Sequence, residues 1–179
     1  MKYISTFLLA ILLCSCNENK KATTNIDQPF FLYDQIEYYH TPIAKDSLLA
    51  IKMKQEKSRK EEAFLQIVTG NIPVSMKDTL FIKNMEILNF KKEILDPKIH
   101  SKISHLFSFR ETGQPVVSKS NAEYLDVLIF RKNNKIVGMA KVSFEGLKHQ
   151  MIGERYNDSK FGQSGEYKEL DNILSQYNK

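Results

Sequence analysis

Four histidines, two cysteines and a scatter of serines and carboxylates are the residues of this chain whose types could do chemistry. His100 and His105 are five apart, which on a helix puts them on different faces, unlike the four-apart pair of a zinc-binding HExxH motif. No acidic run has EF-hand spacing, so no metal ligand is assigned. Gly162-Gln163-Ser164-Gly165 comes nearest to a nucleophile, yet the G-x-S-x-G elbow is absent. A glycine-flanked serine in this setting reads more simply as a flexible loop ending in a helix cap. The same loop lacks the G-x-x-x-x-G-K-[ST] character of a phosphate cradle. The acid pairs Glu61-Glu62 and Glu166/Glu169 sit where helix charge patterning wants them, and nothing marks one carboxylate as acid and another as base. His40 follows an aromatic stretch, and His149 reads as an ordinary strand or turn residue. An enzyme would need His149 or His105 within hydrogen-bond reach of a carboxylate in one pocket. The residues therefore assign no catalytic, cofactor-binding or metal site.

The cysteines belong to a different kind of chemistry. Met1–Cys16 opens with the positive charge of Lys2, runs apolar from Phe7 to Leu13, and closes on Ser15-Cys16. That order reads as a secretory signal, and its apolar core falls well short of the ~20 residues a spanning helix needs. Leu13-Cys14-Ser15-Cys16 resembles the lipobox of bacterial lipoproteins, with Leu three positions before the modified cysteine and Ser immediately before it. The resemblance implies that Cys16 carries the lipid, that Met1–Ser15 is removed, and that Cys14 leaves with the signal. It also implies a Gram-negative envelope. Asn17 stands where Asp would be the familiar inner-membrane retention signal, so the expected site is the outer membrane, on its periplasmic or surface face. Each buried methylene contributes about 0.8 kcal/mol, so one acyl chain binds marginally while several hold firmly. The expected partner is thus the membrane itself, through the lipid on Cys16.

With Cys14 removed and Cys16 acylated, no thiol remains, which excludes disulfides, thiol catalysis and thiolate metal sites in an oxidising compartment. Apolar content of 42% and charged content of 26% suit one globular domain, expected over 29–179. The net charge of +5 is mild, and Lys and Glu are interleaved, so no nucleic-acid partner is expected. Residues 16–28 are polar and aperiodic and read as a lipidated tether, with a root-mean-square reach of about 20 Å.

The elements that must position any site follow from periodicity. Pro29–Tyr39 is the most aromatic stretch, read as core more readily than as a binding platform. Thr41-Pro42 looks like a helix start. Two helices are expected near 44–56 and 59–68, split by a Ser58–Glu61 capping box, and the second shows Ala63, Phe64, Ile67 and Val68 on one face. A third, capped by Asp78 or Thr79, should bury Leu80, Phe81, Met85 and Leu88 and stop at Asn89. Asp96-Pro97 starts a fourth, with Ile99, Ile103, Leu106 and Phe107 inward. Residues 110–121 read as a loop joining a helical half to a β half. There Tyr124–Phe130, an Asn133-Asn134 turn, Ile136–Phe144 and His149–Gly153 form an antiparallel meander with one buried face. Ile136, Gly138, Ala140, Val142 and Phe144 are assigned to that face, and Lys141 and Ser143 to the other. A helix over 166–177 closes the chain on Tyr167, Leu170, Ile173, Leu174 and Tyr177. The expected class is α+β: several N-terminal helices, a three-stranded antiparallel meander and a C-terminal helix.

The run KIVGMAKVSFEG, followed by FGQSGEYKEL, resembles the C-terminal part of small uncharacterised Gram-negative lipoproteins, which also set helices before a strand pair. Cysteines flank the phenylalanine-acid pair there, and Ser143 and Gly146 stand in their places here. The likeness bears on architecture alone. Taken together, the residues favour a membrane-anchored binding module engaging an envelope protein, with an immunity- or inhibitor-type lipoprotein as one form of it. A structural or accessory envelope component is the alternative, and an enzyme on an unfamiliar fold ranks last.

Overall fold

The computed structural model describes residues 28–111 and 113–178. The signal segment, Cys16 and the tether up to Asp27 lie outside the described residues. Among the described residues the chain forms five strands and five α-helices. They run in the order β1 (Gln35–His40), α1 (Lys45–Met53), α2 (Arg59–Val68), α3 (Leu80–Ile87), β2 (Lys91–Ile94), α4 (His100–Leu106), β3 (Asp126–Lys132), β4 (Lys135–Ser143), β5 (Lys148–Ile152) and α5 (Glu166–Leu174). The strands make one antiparallel sheet in the order β2-β1-β3-β4-β5.

The expected three-stranded meander is corrected by this sheet. β3, β4 and β5 are the predicted strands, but β1 and β2 from the N-terminal half extend the sheet beyond β3. The division into a helical half and a β half therefore does not hold. Thr41-Pro42 lies in the connection after β1, and α1 begins at Lys45. The aromatic stretch supplies β1 and the core: Phe30, Phe31, Tyr38 and Tyr39 are all buried.

Both faces of the sheet are covered, which corrects the expectation of a single buried face. Ile36, Tyr38, Leu128, Phe130, Ala140 and Val142 face one way, under α4, α5 and the Phe30-Phe31 segment. Tyr39, Val127, Ile129 and Met139 face the other way, under α1, α2 and α3. Such a strand has no solvent side, so β3 reads as the continuous apolar run Val127–Phe130 rather than as an alternation. A register shift between Phe130 and Arg131 pairs Arg131 with Ile136. It turns Ile136 onto the α1–α3 side, while Val137 packs with the opposite cluster. Lys141 and Ser143, expected to face solvent, are 1% and 3% exposed. Gly138 leaves room for the ring of Phe31, which a Cβ there would strike.

Local signals held where the chemistry was local. Ser58 caps α2 through the Glu61 N–H, and the Glu61 carboxylate returns a bond to the Ser58 N–H at 2.7 Å. Asp96 accepts from the Lys98 N–H at 2.9 Å at the 3-10 turn leading into α4. Asn133 and Asn134 both have positive φ, which turns β3 into β4. In α3 the inward residues are Phe81, Ile82 and Met85, whereas Leu80, at 70% exposure, points out. β2 presents four exposed residues, so no apolar pattern announces it. It is held from β1 by Glu37, whose carboxylate meets Lys92 at 3.0 Å and Arg131 of β3 at 3.0 Å. Burial works against the Glu37 charge, but the two cations outweigh it and hold its pKa below the usual carboxylate value.

Candidate functional site

The side chains singled out for chemistry do not converge. His100 begins α4 and packs edge-on against Tyr33, with ring centroids 5.3 Å apart. His105 lies in the last turn of the same helix. His149 of β5 does meet a carboxylate, with Nε2 3.4 Å from Asp158, but its Nδ1 is taken by the Tyr167 hydroxyl at 2.8 Å. Both ring nitrogens are thus engaged, and the ring packs against Phe161. Ser164 sits at the start of α5, where its N–H donates to Glu166, and Gly165 takes a positive φ at the cap. Glu61 is spent on the capping box and on Lys54, which hold its carboxyl at about 2. Glu166 is buried beside Arg110, and Glu169 pairs with Lys102.

A different set of residues comes together at the end of the sheet where β1 stops and β3 starts. The antiparallel register places His40 opposite Asp126. His40 Nδ1 lies 2.9 Å from Asp126 Oδ1, and the Tyr38 hydroxyl donates to the same oxygen at 2.5 Å. The Asn178 side-chain oxygen lies 2.7 Å from the Tyr38 hydroxyl, which ties the end of the chain to this cluster. Burial, reinforced by the Asp126 charge, drives the Tyr38 pKa far above the usual tyrosine range, so the phenol stays a donor. A carboxylate can only accept, so the His40 Nδ1 that faces it acts as the donor of this bond.

His40 and Asp126 line a half-open cleft of about 510 Å³. The start of α1 supplies Lys45, Asp46 and Leu49. The β3 approach supplies Glu123 and Leu125, the β4–β5 turn Phe144 and Glu145, and α5 Asp171. Two lysines on the wall are already neutralised, Lys45 by Glu145 at 2.7 Å and Lys52 by Glu123 at 2.6 Å. Among the described residues Asp171 has no such cation, and burial followed by the nearby Asp126 charge raises its pKa. Ser143 is the one hydroxyl side chain lining the cleft among the described residues. Its Oγ accepts the Gly146 N–H at 3.1 Å and so serves the turn. The arrangement holds an imidazole beside carboxylates and suits binding a polar group.

Compared with known proteins, the chain matches no family model, no curated protein and no solved structure.

The site therefore rests on its own geometry. Sequence reasoning passed over Asp126 and treated His40 only as the residue after an aromatic run. One signal was present: Asp126 interrupts the β-forming stretch Tyr124–Phe130, and a carboxylate in a buried strand must be paired. A second depression of about 430 Å³ lies between α1, α2 and α3, with Ile51, Phe64, Ile87 and Leu88 on its walls. It is more apolar and lacks a comparable polar cluster.

Proposed function

We propose that this chain is a lipid-anchored envelope domain whose cleft at the His40 end of the sheet engages a partner protein. The lipobox-like Leu13–Cys16 supports the anchor, with Cys16 as the lipidated residue and the outer membrane as the destination. Among the described residues no helix is long and apolar enough to cross a membrane. The observation that carries the binding role is the placement of the cleft relative to the tether. Gln28 and Phe30 are tied to the segment after α4 by Phe109 and Phe107, and the Phe30 carbonyl accepts from Arg155. The chain then enters β1 beside the β3–β4 hairpin, where the Asn133 N–H donates to Asp34 at 2.8 Å. His40 is six residues further along an extended strand, about 20 Å away at the usual rise. The tether entry and the cleft thus occupy opposite ends of β1, so an anchored domain can present the cleft away from the lipid.

Site-specific photocrosslinking in intact cells tests this role. Leu49 lines the cleft and is 55% exposed, while Val117 is 89% exposed on the 110–121 loop. A crosslinker at Leu49 is expected to capture a discrete protein adduct, and one at Val117 to capture none. No adduct at Leu49, or equal adducts at both positions, would contradict the proposal.

A further inference from the structure

We propose that α1 is a strap that detaches from the sheet while the rest of the domain stays folded, and that its release joins the His40 cleft to the depression beside α2 and α3. Of its nine residues only Leu48 is buried. α2 and α3 bury three residues each, and α5 buries five. Leu49 and Met53 of α1 are exposed large apolar side chains. The helix also starts without a side-chain cap, since Ala44 stands at that position. One leucine in the cluster with Tyr39 and Phe64 therefore supplies most of the burial that holds it.

A second observation, independent of burial, is where the two cavities lie. The cleft of about 510 Å³ runs along Leu48, Leu49 and Lys52, and the depression of about 430 Å³ runs along Ile51. Ile43, just ahead of the helix, lines both. α1 is thus a partition between two hollows, where a helix packed to ordinary interior density has its flanks filled by neighbours. Among the described residues its side chains make two ion pairs and no other polar tie to the body, Lys45 with Glu145 and Lys52 with Glu123. The first pair is largely exposed and the second about one-third exposed, and such pairs hold weakly.

The chain on either side is held firmly, which confines the movement to α1. Before it, the Thr41 N–H donates to the Leu125 carbonyl at 3.1 Å. After it, Lys54 reaches Glu61, and the Ser58–Glu61 capping box fixes the start of α2. Segments with few buried apolar contacts open locally at a lower free energy than the whole domain unfolds. A helix of nine residues is too short to persist without packing, so α1 released from Leu48's site also loses its helical hydrogen bonds. The opened trough runs from Leu125 on the cleft side to Phe64 on the other, past Ile43. It admits a segment too large for either hollow alone. This goes beyond the binding role proposed above and stands without it.

Thiol labelling with dithionitrobenzoate tests it in the full chain carrying Cys14→Ser and Cys16→Ser, so that one engineered cysteine is the only thiol. Leu48→Cys is compared with Leu106→Cys in α4 and Leu170→Cys in α5, the same change at equally buried leucines of other helices. Leu48→Cys is expected to label about a hundredfold faster than either control, at a rate that stays flat up to about 1 M urea while the controls accelerate. Adding Glu123→Gln, which loosens Lys52, should raise the Leu48→Cys rate about threefold and leave the controls unchanged. Hydrogen exchange of the unsubstituted chain gives a second reading: the amides of residues 49–52 should exchange at a urea-independent rate, and those of residues 64–68 in α2 only with global unfolding. Labelling of Leu48→Cys at the controls' rate or with their urea dependence, or exchange of residues 49–52 in step with α2, would overturn the inference. A Leu48→Cys chain unfolded by circular dichroism would overturn it too, since α1 would then be integral to the core. Capture of a partner at Leu49 is a separate measurement, so the binding role can fail or hold on its own.

Discussion

Replacing Phe130 by alanine is expected to destabilise the protein by about 3–5 kcal/mol, read as a lowered urea midpoint at constant m-value. Phe130 is fully buried at the centre of β3, on the side of the sheet covered by α4 and α5. Its ring stacks on Phe31 at 4.3 Å and meets Tyr33 at 5.0 Å and Phe107 edge-on at 5.3 Å. Removing it strips one partner from three rings at once. The hole cannot close easily, because Phe31 is already pressed against the Gly138 backbone on the next strand. Val117→Ala, on the exposed loop, serves as the near-neutral control. A loss below about 1 kcal/mol at Phe130 would contradict the packing described for this face.

The opposite face is tested by Lys141. Its ammonium donates to the Gly70 carbonyl at 2.8 Å and the Ile72 carbonyl at 2.7 Å, and lies 4.6 Å from the centre of the Tyr124 ring. Gln150, its cross-strand neighbour on β5, donates to the Asn71 and Pro73 carbonyls at 2.9 and 2.8 Å. Two adjacent side chains thus hold four successive carbonyls of the turn after α2. Lys141→Met keeps the aliphatic bulk but leaves two carbonyls without donors, at about 1–3 kcal/mol each, partly offset because no charge need then be buried. A net loss of about 2–3 kcal/mol is expected. On a sheet with one solvated face the same change would be close to neutral, so the measurement separates the two architectures.

The pH dependence of Lys141 has a definite sign. Burial pushes its amine down to about 7, below the ordinary lysine value near 10.4. Between those values the unfolded chain holds a proton that the folded chain has released, so stability from this group rises with pH across the window. A neutral amine still has two N–H groups, enough for Gly70 and Ile72, so deprotonation does not release the turn. The stability difference between wild type and Lys141→Met should therefore grow from pH 7 to pH 10. A difference that is flat or shrinks over that range would contradict the burial of the amine.

Helix caps and turns were legible in the sequence because each depends on a few neighbouring residues. Ser58 with Glu61, Asp96 before Pro97, and Asn133-Asn134 all appear in the structure as their local chemistry requires. The extra strands were not legible for opposite reasons. β1 is so aromatic that it reads as core without a direction, and β2, Lys91–Ile94, exposes every residue and carries no period at all. Two-sided burial did leave a trace in the unbroken run Val127–Phe130, which a half-solvated strand would have interrupted. Lys141 masked it on β4, since a lysine between apolar residues looks like a solvent face until its carbonyl partners are known. The cleft was hidden because Tyr38 and Asp126 are 88 residues apart and meet only through the β1–β3 register.

The anchor is the claim on which the proposed role depends, since it selects the compartment, orients the cleft and consumes the last thiol. Mass spectrometry of the mature N-terminus tests it most directly. The expected result is a chain beginning at an acylated Cys16 in the wild type, with loss of both the acyl mass and membrane association in Cys16→Ser. A mature chain that begins elsewhere, or a Cys16→Ser protein that stays with the membrane, would contradict it.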